Sequence, residues 1–281
     1  VKAVIPVAGL GTRMLPLTKS QPKEMLPVYD RPAIQYVVEE ATDSGINDIL
    51  LITGKGKRAI EDYFSPNLEL EAFLKERGKT GEISLIRNIA PEADIYYVRQ
   101  KEPRGLGDAV MYAENHVGTE PFIVLLGDDI ILNSVPASRQ LMEAYWKYDS
   151  PVIGVERVPE EDVSRYGIIS PGKSLENGIF QVEELVEKPN PEDAPSNYAI
   201  IGRYLLTPEI FTYLRETKPD GKGEIQLTDA LRRYNREHPM VAVELEGTRL
   251  DVGGMEGWLM ANIKAAIMKD PSLVERIKEG L

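Results

Sequence analysis

Two cations stand close behind a glycine-rich turn near the start of the chain, in the segments Ala8-Gly9-Leu10-Gly11-Thr12-Arg13 and Gln21-Pro22-Lys23-Glu24. Glycines let a backbone turn tightly and bring its N–H groups against an anion. Arg13 adds a planar fork of donors suited to phosphate oxygens, and Lys23 a compact point charge that can follow charge as it develops. Prolines at 16, 22 and 27 restrict the backbone around both. Together these residues have the chemistry of a polyphosphate grip. Gly-x-Gly by itself is also an ordinary tight turn. Two common phosphate loops are excluded, because Met14 stands where a dinucleotide fingerprint has its third glycine and no Gly-Lys-Ser/Thr follows.

Four further segments carry chemistry at or just beyond the ends of apolar runs. Leu125-Leu126-Gly127-Asp128-Asp129 and Leu250-Asp251-Val252-Gly253-Gly254 supply carboxylates. Asp128 and Asp251 suit Mg²⁺, which takes one or two carboxylates plus substrate phosphates. Aspartates also begin ordinary turns. Gln100, ahead of Gly105-Leu106-Gly107, offers a side-chain amide and close backbone approach to a base edge. Glu187-Lys188-Pro189 offers a carboxylate for sugar hydroxyls and an ammonium for a phosphate, though taken singly it reads as a solvated strand end.

Composition narrows the classes. The 281 residues can bury a sizeable core, and neither the 42% hydrophobic nor the 28% charged fraction suggests disorder. Zero cysteines exclude disulfides, thiol nucleophiles and cysteine-ligated zinc, and two histidines leave little for an imidazole site, so any metal must be hard and carboxylate-held. A net charge of −12 argues against broad nucleic-acid binding, which needs many cations to neutralise phosphates. No apolar run approaches the roughly 20 residues that span a bilayer. The start, Val1 to Val7, lacks the marks of a signal peptide, so a cytoplasmic protein with no membrane partner is expected.

The elements that must position these groups follow from periodicity. Lys2 to Val7 reads as a buried strand, Gly9 to Pro16 as the loop after it, Ala33 to Asp43 as a helix and Asp48 to Thr53 as the next strand. That order implies a parallel, right-handed crossover. Glu61 to Asp94 reads as a helical insertion, since a structureless loop of that length would be unusual. Strands at Ile95 to Arg99 and Phe122 to Leu126 flank a helix from Gly107 to His116. Beyond Pro151 come strands at Val152 to Arg157, Phe180 to Glu187 and Tyr198 to Leu206, helices at Glu224 to Tyr234 and Met255 to Met268, and a terminal helix from Pro271. The expected fold is α/β, a Rossmann-like doubly wound sheet, mixed but mostly parallel and flanked by helices. Such sheets bind ligands beyond the carboxyl ends of their strands, where the Gly9 loop and Asp128 both fall. Residues 1–281 are expected to share one core, with 1–150 mainly binding nucleotide and 151–281 mainly binding sugar phosphate.

Taken in order, Gly9-x-Gly11-Thr12-Arg13, Pro22-Lys23, Gln100, Gly105-Leu106-Gly107, Gly127-Asp128, Tyr166-Gly167, Glu187-Lys188-Pro189 and Asp251-Val252-Gly253 resemble the sugar-1-phosphate nucleotidylyltransferases over nearly the whole chain. Three segments resemble the bacterial-type UTP:glucose-1-phosphate uridylyltransferase branch in particular. They are Pro22-Lys23-Glu24-Met25-Leu26-Pro27, the insertion with Phe64 and Leu68-Glu69-Leu70-Glu71, and Gly223-Glu224-Ile225-Gln226-Leu227-Thr228-Asp229-Ala230. The thymidylyl and adenylyl relatives share the loop and the lysine.

The resemblance implies a nucleotide-diphospho-sugar transferase fold, Mg²⁺ as cofactor, and conversion of UTP and glucose 1-phosphate to UDP-glucose and pyrophosphate by a homo-oligomer, dimer or tetramer. It places Ala8, Gly9, Glu24, Gln100 and Gly105 around the uridine, and Gly11, Thr12, Arg13 and Lys23 on the triphosphate. Asp128 and Asp251 would hold the metal, and Gly167, Glu187 and Lys188 the glucose 1-phosphate. Arg13, Lys23 and Asp128 would carry catalysis. Because Asp129 follows Asp128 at once, either could be the metal ligand, although the residue directly after Gly127 fits better. The other readings are transfer of thymidylate or adenylate to a sugar phosphate, or a non-catalytic sugar-nucleotide sensor on the same fold.

Overall fold

A computed structural model describes residues 1–280. The first half runs β1 (Lys2–Pro6), β2 (Pro27–Val28), β3 (Arg31–Pro32), α1 (Ala33–Asp43), β4 (Asp48–Thr53), α2 (Arg58–Phe64), α3 (Leu68–Glu76), α4 (Thr80–Arg87), β5 (Asp94–Arg99), α5 (Leu106–Met111), α6 (Glu114–Val117), β6 (Phe122–Leu125), β7 (Asp129–Leu132) and α7 (Ala137–Tyr148). The second half runs β8 (Val152–Arg157), β9 (Gly167–Glu176), β10 (Ile179–Glu187), β11 (Tyr198–Leu206), α8 (Ile210–Glu216), α9 (Leu227–Glu237), β12 (Val241–Glu244), β13 (Thr248–Asp251), α10 (Met255–Lys269) and α11 (Leu273–Gly280).

Nine strands form one sheet in the order β5-β4-β1-β6-β11-β8-β12-β10-β9. The first four are parallel, and the order reverses on either side of β1, which makes the gap between β1 and β6 the switch point at which such sheets open a crevice. The sheet is mixed, as expected, but not mostly parallel, since parallel pairing is confined to β5-β4-β1-β6 and β8-β12. Elsewhere β11 runs against β6 and β8, and β10 against β12 and β9. The hairpin of β9 and β10 turns at Gly178, whose φ of 72° suits glycine.

Alternation along the strands builds a core on each face. Ala3, Ile5, Ile49, Leu51, Ile123 and Leu125 pack against Ile34, Val37 and Val38 of α1 and Leu141 of α7. Val4, Leu50, Phe122 and Val124 pack on the other face with Phe211 of α8 and Leu231 and Tyr234 of α9. Burying one such side chain contributes about 1.5–3 kcal/mol. A small ribbon of β7 and β13 stands beside the sheet and brings Asp251 opposite Asp129.

Three boundaries differ from the sequence reading. The helix expected over Gly107 to His116 is two short helices separated at Tyr112 and Ala113. The helix expected from Glu224 begins at Leu227, because the Asp220 carboxylate accepts from the backbone N–H groups of Lys222 and Glu224 and holds that stretch in a turn. The insertion is helical, but as three helices, α2 to α4.

Candidate active site

The chain leaves β1 at Pro6 and turns through Gly9 to Met14. Gly11 has φ 66°, and a Cβ there would press on Thr18 and Lys23, so glycine is required on both counts. The turn closes through Met14 N donating to Gly11 O at 2.9 Å and Thr18 Oγ1 donating to the same oxygen at 2.7 Å. Met14, in the place of the absent third glycine, is fully buried and pins the loop while Thr12 and Arg13 stay exposed.

Lys23 reaches across to Asp128 and hydrogen-bonds it, 105 residues away in sequence. Burial works to depress the Lys23 ammonium, but the charges of Asp128 and Glu24 outweigh it and hold the group above its ordinary value. Burial likewise works to raise the Asp128 carboxyl, and Lys23 overrides it, keeping the group below the ordinary value. Both therefore stay charged at neutral pH.

The two adjacent aspartates have different surroundings. Asp129 is bound by Arg249, from Nε to Oδ1 at 2.6 Å and from Nη2 to Oδ2 at 3.0 Å. Its carbonyl accepts from Nη2 of the fully buried Arg203, which is itself held by Glu40. Asp128 Oδ2, which accepts from Lys23, and Asp251 Oδ1, which accepts from the Gly253 N–H at 2.8 Å, face a common point, each 3.0 Å from where a Cβ on Gly253 would lie. Those two carboxylates, with no nitrogen or sulfur donor, fit a hard divalent cation whose other ligands come from phosphates and water. Among the described residues no group of three or more acidic or histidine side chains converges as a complete metal cage.

At the other end of the cleft, Glu24 is 1% exposed and accepts from Lys57 Nζ at 2.7 Å. Gln100 follows β5, and Gly105, with φ 95°, stands just before the first residue of α5. Across the sheet, Glu187 ends β10 opposite Gly167 of β9, and Lys188 lies in the left-handed region at φ 45°. Lys188 Nζ pairs with Glu187 Oε1 at 2.6 Å. A Cβ on Gly167 would lie 3.0 Å from Thr228 Oγ1, so the wall is tight there.

All fourteen residues singled out from the sequence line one cleft of about 560 Å³: Ala8, Gly9, Gly11, Thr12, Arg13, Lys23, Glu24, Gln100, Gly105, Asp128, Gly167, Glu187, Lys188 and Asp251. Arg249 and Arg165 also line it, and sequence reasoning passed over both. Arg249 had a usable signal, since it alternates with Asp251 on one face of β13. Arg165, 3.7 Å from Asp251, and the buried partners Lys57 and Arg203 carried none.

Residues 2–266 match the nucleotidyl transferase family. The chain is 54% identical over 268 residues to the UTP–glucose-1-phosphate uridylyltransferase YngB of Bacillus subtilis (strain 168), covering 95% of this chain and 90% of that protein. It superposes on a UDP-glucose pyrophosphorylase complexed with UDP-glucose with a TM-score of 0.85 at 44% identity, covering 95% and 98% of the two chains. On the UTP-bound enzyme of that kind from Acinetobacter baumannii the TM-score is 0.90 at 39% identity, covering 99% and 97%.

Proposed function

The chain belongs to the nucleotidyl transferase family, and within it we propose that the protein is a UTP–glucose-1-phosphate uridylyltransferase, converting UTP and glucose 1-phosphate to UDP-glucose and pyrophosphate. The observation that carries this reading is the convergence of a cation pair, a carboxylate pair and an acid–amine strand tip on one cleft at the switch point. Similarity to proteins solved with UTP and with UDP-glucose supports it. Thymidylyl or adenylyl transfer and a non-catalytic sensor are not favoured.

The reaction is an in-line displacement. A phosphate oxygen of glucose 1-phosphate, already an anion, attacks the α-phosphorus of UTP, and the bond to the β-phosphate breaks to release pyrophosphate. No general base is needed, which suits a cleft without histidine or cysteine. The Gly9–Gly11 loop and Arg13 grip the triphosphate, and Lys23 neutralises charge around the α-phosphate and on departing pyrophosphate. Ala8, Glu24, Gln100 and Gly105 surround the uridine. Gly167, Glu187 and Lys188 hold glucose 1-phosphate, Glu187 taking hydroxyls and Lys188 the phosphate. Alignment of two anions is itself a large part of the acceleration. Asp128 and Asp251 would hold Mg²⁺, which when bound screens the phosphates and polarises the reacting centre.

Residues 1–150 serve mainly the nucleotide and 151–281 mainly the sugar phosphate. Among the described residues no helix is long and apolar enough to cross a membrane. We assign the enzyme to the cytoplasm, where nucleoside triphosphates are supplied, as a homodimer or tetramer. The exposed Met255, Leu259, Met260 and Met268 of α10 support self-association.

Isotope placement tests the reaction. With UTP labelled at the α-phosphate, label must appear in UDP-glucose; with UTP labelled at the γ-phosphate, it must appear in pyrophosphate. Label from the γ-position in a sugar product would make the enzyme a kinase and remove the assignment.

A further inference from the structure

Gln100 donates through Nε2 to Asp108 Oδ2 at 2.7 Å and to the Gly105 carbonyl at 3.4 Å. Asp108 is 1% exposed, and its other oxygen accepts from Arg104 Nη2 at 2.7 Å. A carboxylate only accepts, so the amide nitrogen must face it, and both amide hydrogens are spent. The amide oxygen Oε1 accepts from no group among the described residues. Since no sealed side-chain nitrogen or oxygen among the described residues lacks a partner, Oε1 opens to the cleft that Gln100 lines.

We propose that Asp108, braced by Arg104, is a positioning residue that sets base selectivity by fixing the Gln100 amide with its oxygen toward the base. Resting on the uridylyltransferase reading, which puts the base beside Gln100, the cleft then accepts a pyrimidine whose ring nitrogen carries a hydrogen, as in uracil. Cytosine presents an acceptor at the same ring position and meets an acceptor. An unheld amide rotates and offers either group, so Gln100 without its brace would discriminate poorly.

A helix-start acid paired with a residue four positions earlier would serve α5 equally well as a surface ion pair. Asp108 is instead buried, and one of its oxygens is spent on the amide that faces the substrate.

Asp108→Asn tests the role. The Arg104 guanidinium has only donors and claims the Asn oxygen, so the Asn amide turns its N–H groups to Gln100, which must rotate and present its own N–H groups to the base. The measurement is kcat/KM for UTP and for CTP with glucose 1-phosphate, alongside thermal melts. In Asp108→Asn the UTP-to-CTP ratio should fall by about tenfold or more. A purely structural role would lower Tm and both kcat/KM values together, and an unchanged ratio in a folded variant overturns the proposal. If Asp108→Asn does not fold, Asp108→Ala decides, because it leaves the Gln100 amide unheld and the half-exposed Arg104 to solvent: a reduced ratio supports the brace and an unchanged one overturns it. A parent enzyme that shows no preference for UTP would defeat the proposed function itself, which separates the two failures.

Discussion

Arg249 grips Asp129 with two hydrogen bonds, and this pairing separates the work of two adjacent aspartates: Asp129 is tied into the wall, while Asp128 turns to Lys23 and shares a point in the cleft with Asp251. The ambiguity left by Gly127-Asp128-Asp129 thereby acquires a test.

Asp128→Asn should lose Mg²⁺-dependent turnover with the smaller loss in Tm, because Lys23 still faces the charge of Glu24. Asp129→Asn should show the larger loss of stability, because it leaves the Arg249 charge without its principal partner, and breaking a buried ion pair costs about 3–5 kcal/mol. Thermal melts and Mg²⁺ titrations of both variants read this directly. Equal losses of stability, or a fully active Asp128→Asn enzyme, would contradict the division.

Lys23→Ala should fold normally and lose about a hundredfold in kcat, near 3 kcal/mol of transition-state stabilisation, as expected for removal of one preorganised donor. Saturating UTP and Mg²⁺ should not restore the rate. A variant with normal kcat and raised KM would instead make Lys23 a ground-state binding group.

Gly253→Ala places a methyl 3.0 Å from both Asp128 Oδ2 and Asp251 Oδ1. The Mg²⁺ concentration for half-maximal activity should rise by about tenfold or more, the range seen when groups around a metal site are disturbed. An unchanged Mg²⁺ dependence would move the cation away from this pair.

Lys57→Met tests the buried pair with Glu24. Burial pushes the Glu24 carboxyl above its ordinary value of 4.5, and Lys57 followed by Lys23 pulls it partly back. A carboxyl raised in the folded state contributes stability that is present below the unfolded value and lost as pH rises through the folded one. Removing Lys57 raises Glu24 further, so the variant's deficit opens as pH rises through the parent's own raised Glu24 value and approaches about 3–5 kcal/mol in alkaline buffer. The Tm gap to the parent should be wider at pH 8 than at pH 5. A gap that narrows with pH would contradict the sign.

The parts of the fold that were legible were those with local causes. Continuous apolar runs marked β1, β4 and β6, and helical spacing of Ile34, Val37, Val38 and Ala41 marked α1. The ribbon of β7 and β13 was not legible, because its strands are short and join distant parts of the chain, setting Asp129 opposite Asp251. The site divides the same way. Groups announced by glycine, proline or strand ends were found, whereas Lys57, Arg203 and Arg249 bond partners that the tertiary fold brings near, and Asp108, whose partners Gln100 and Arg104 are close in sequence, has no glycine, proline or strand end to announce it. Helix edges failed where side chains intervened, as Asp220 does before α9.

The most direct test is pyrophosphate release measured across the nucleoside triphosphates and several sugar 1-phosphates, with and without Mg²⁺. UTP with glucose 1-phosphate in the presence of Mg²⁺ should give the highest kcat/KM, and omission of either substrate should abolish release. A different best pair would contradict the uridylyltransferase assignment, and absence of release with every pair would contradict nucleotidyl transfer altogether.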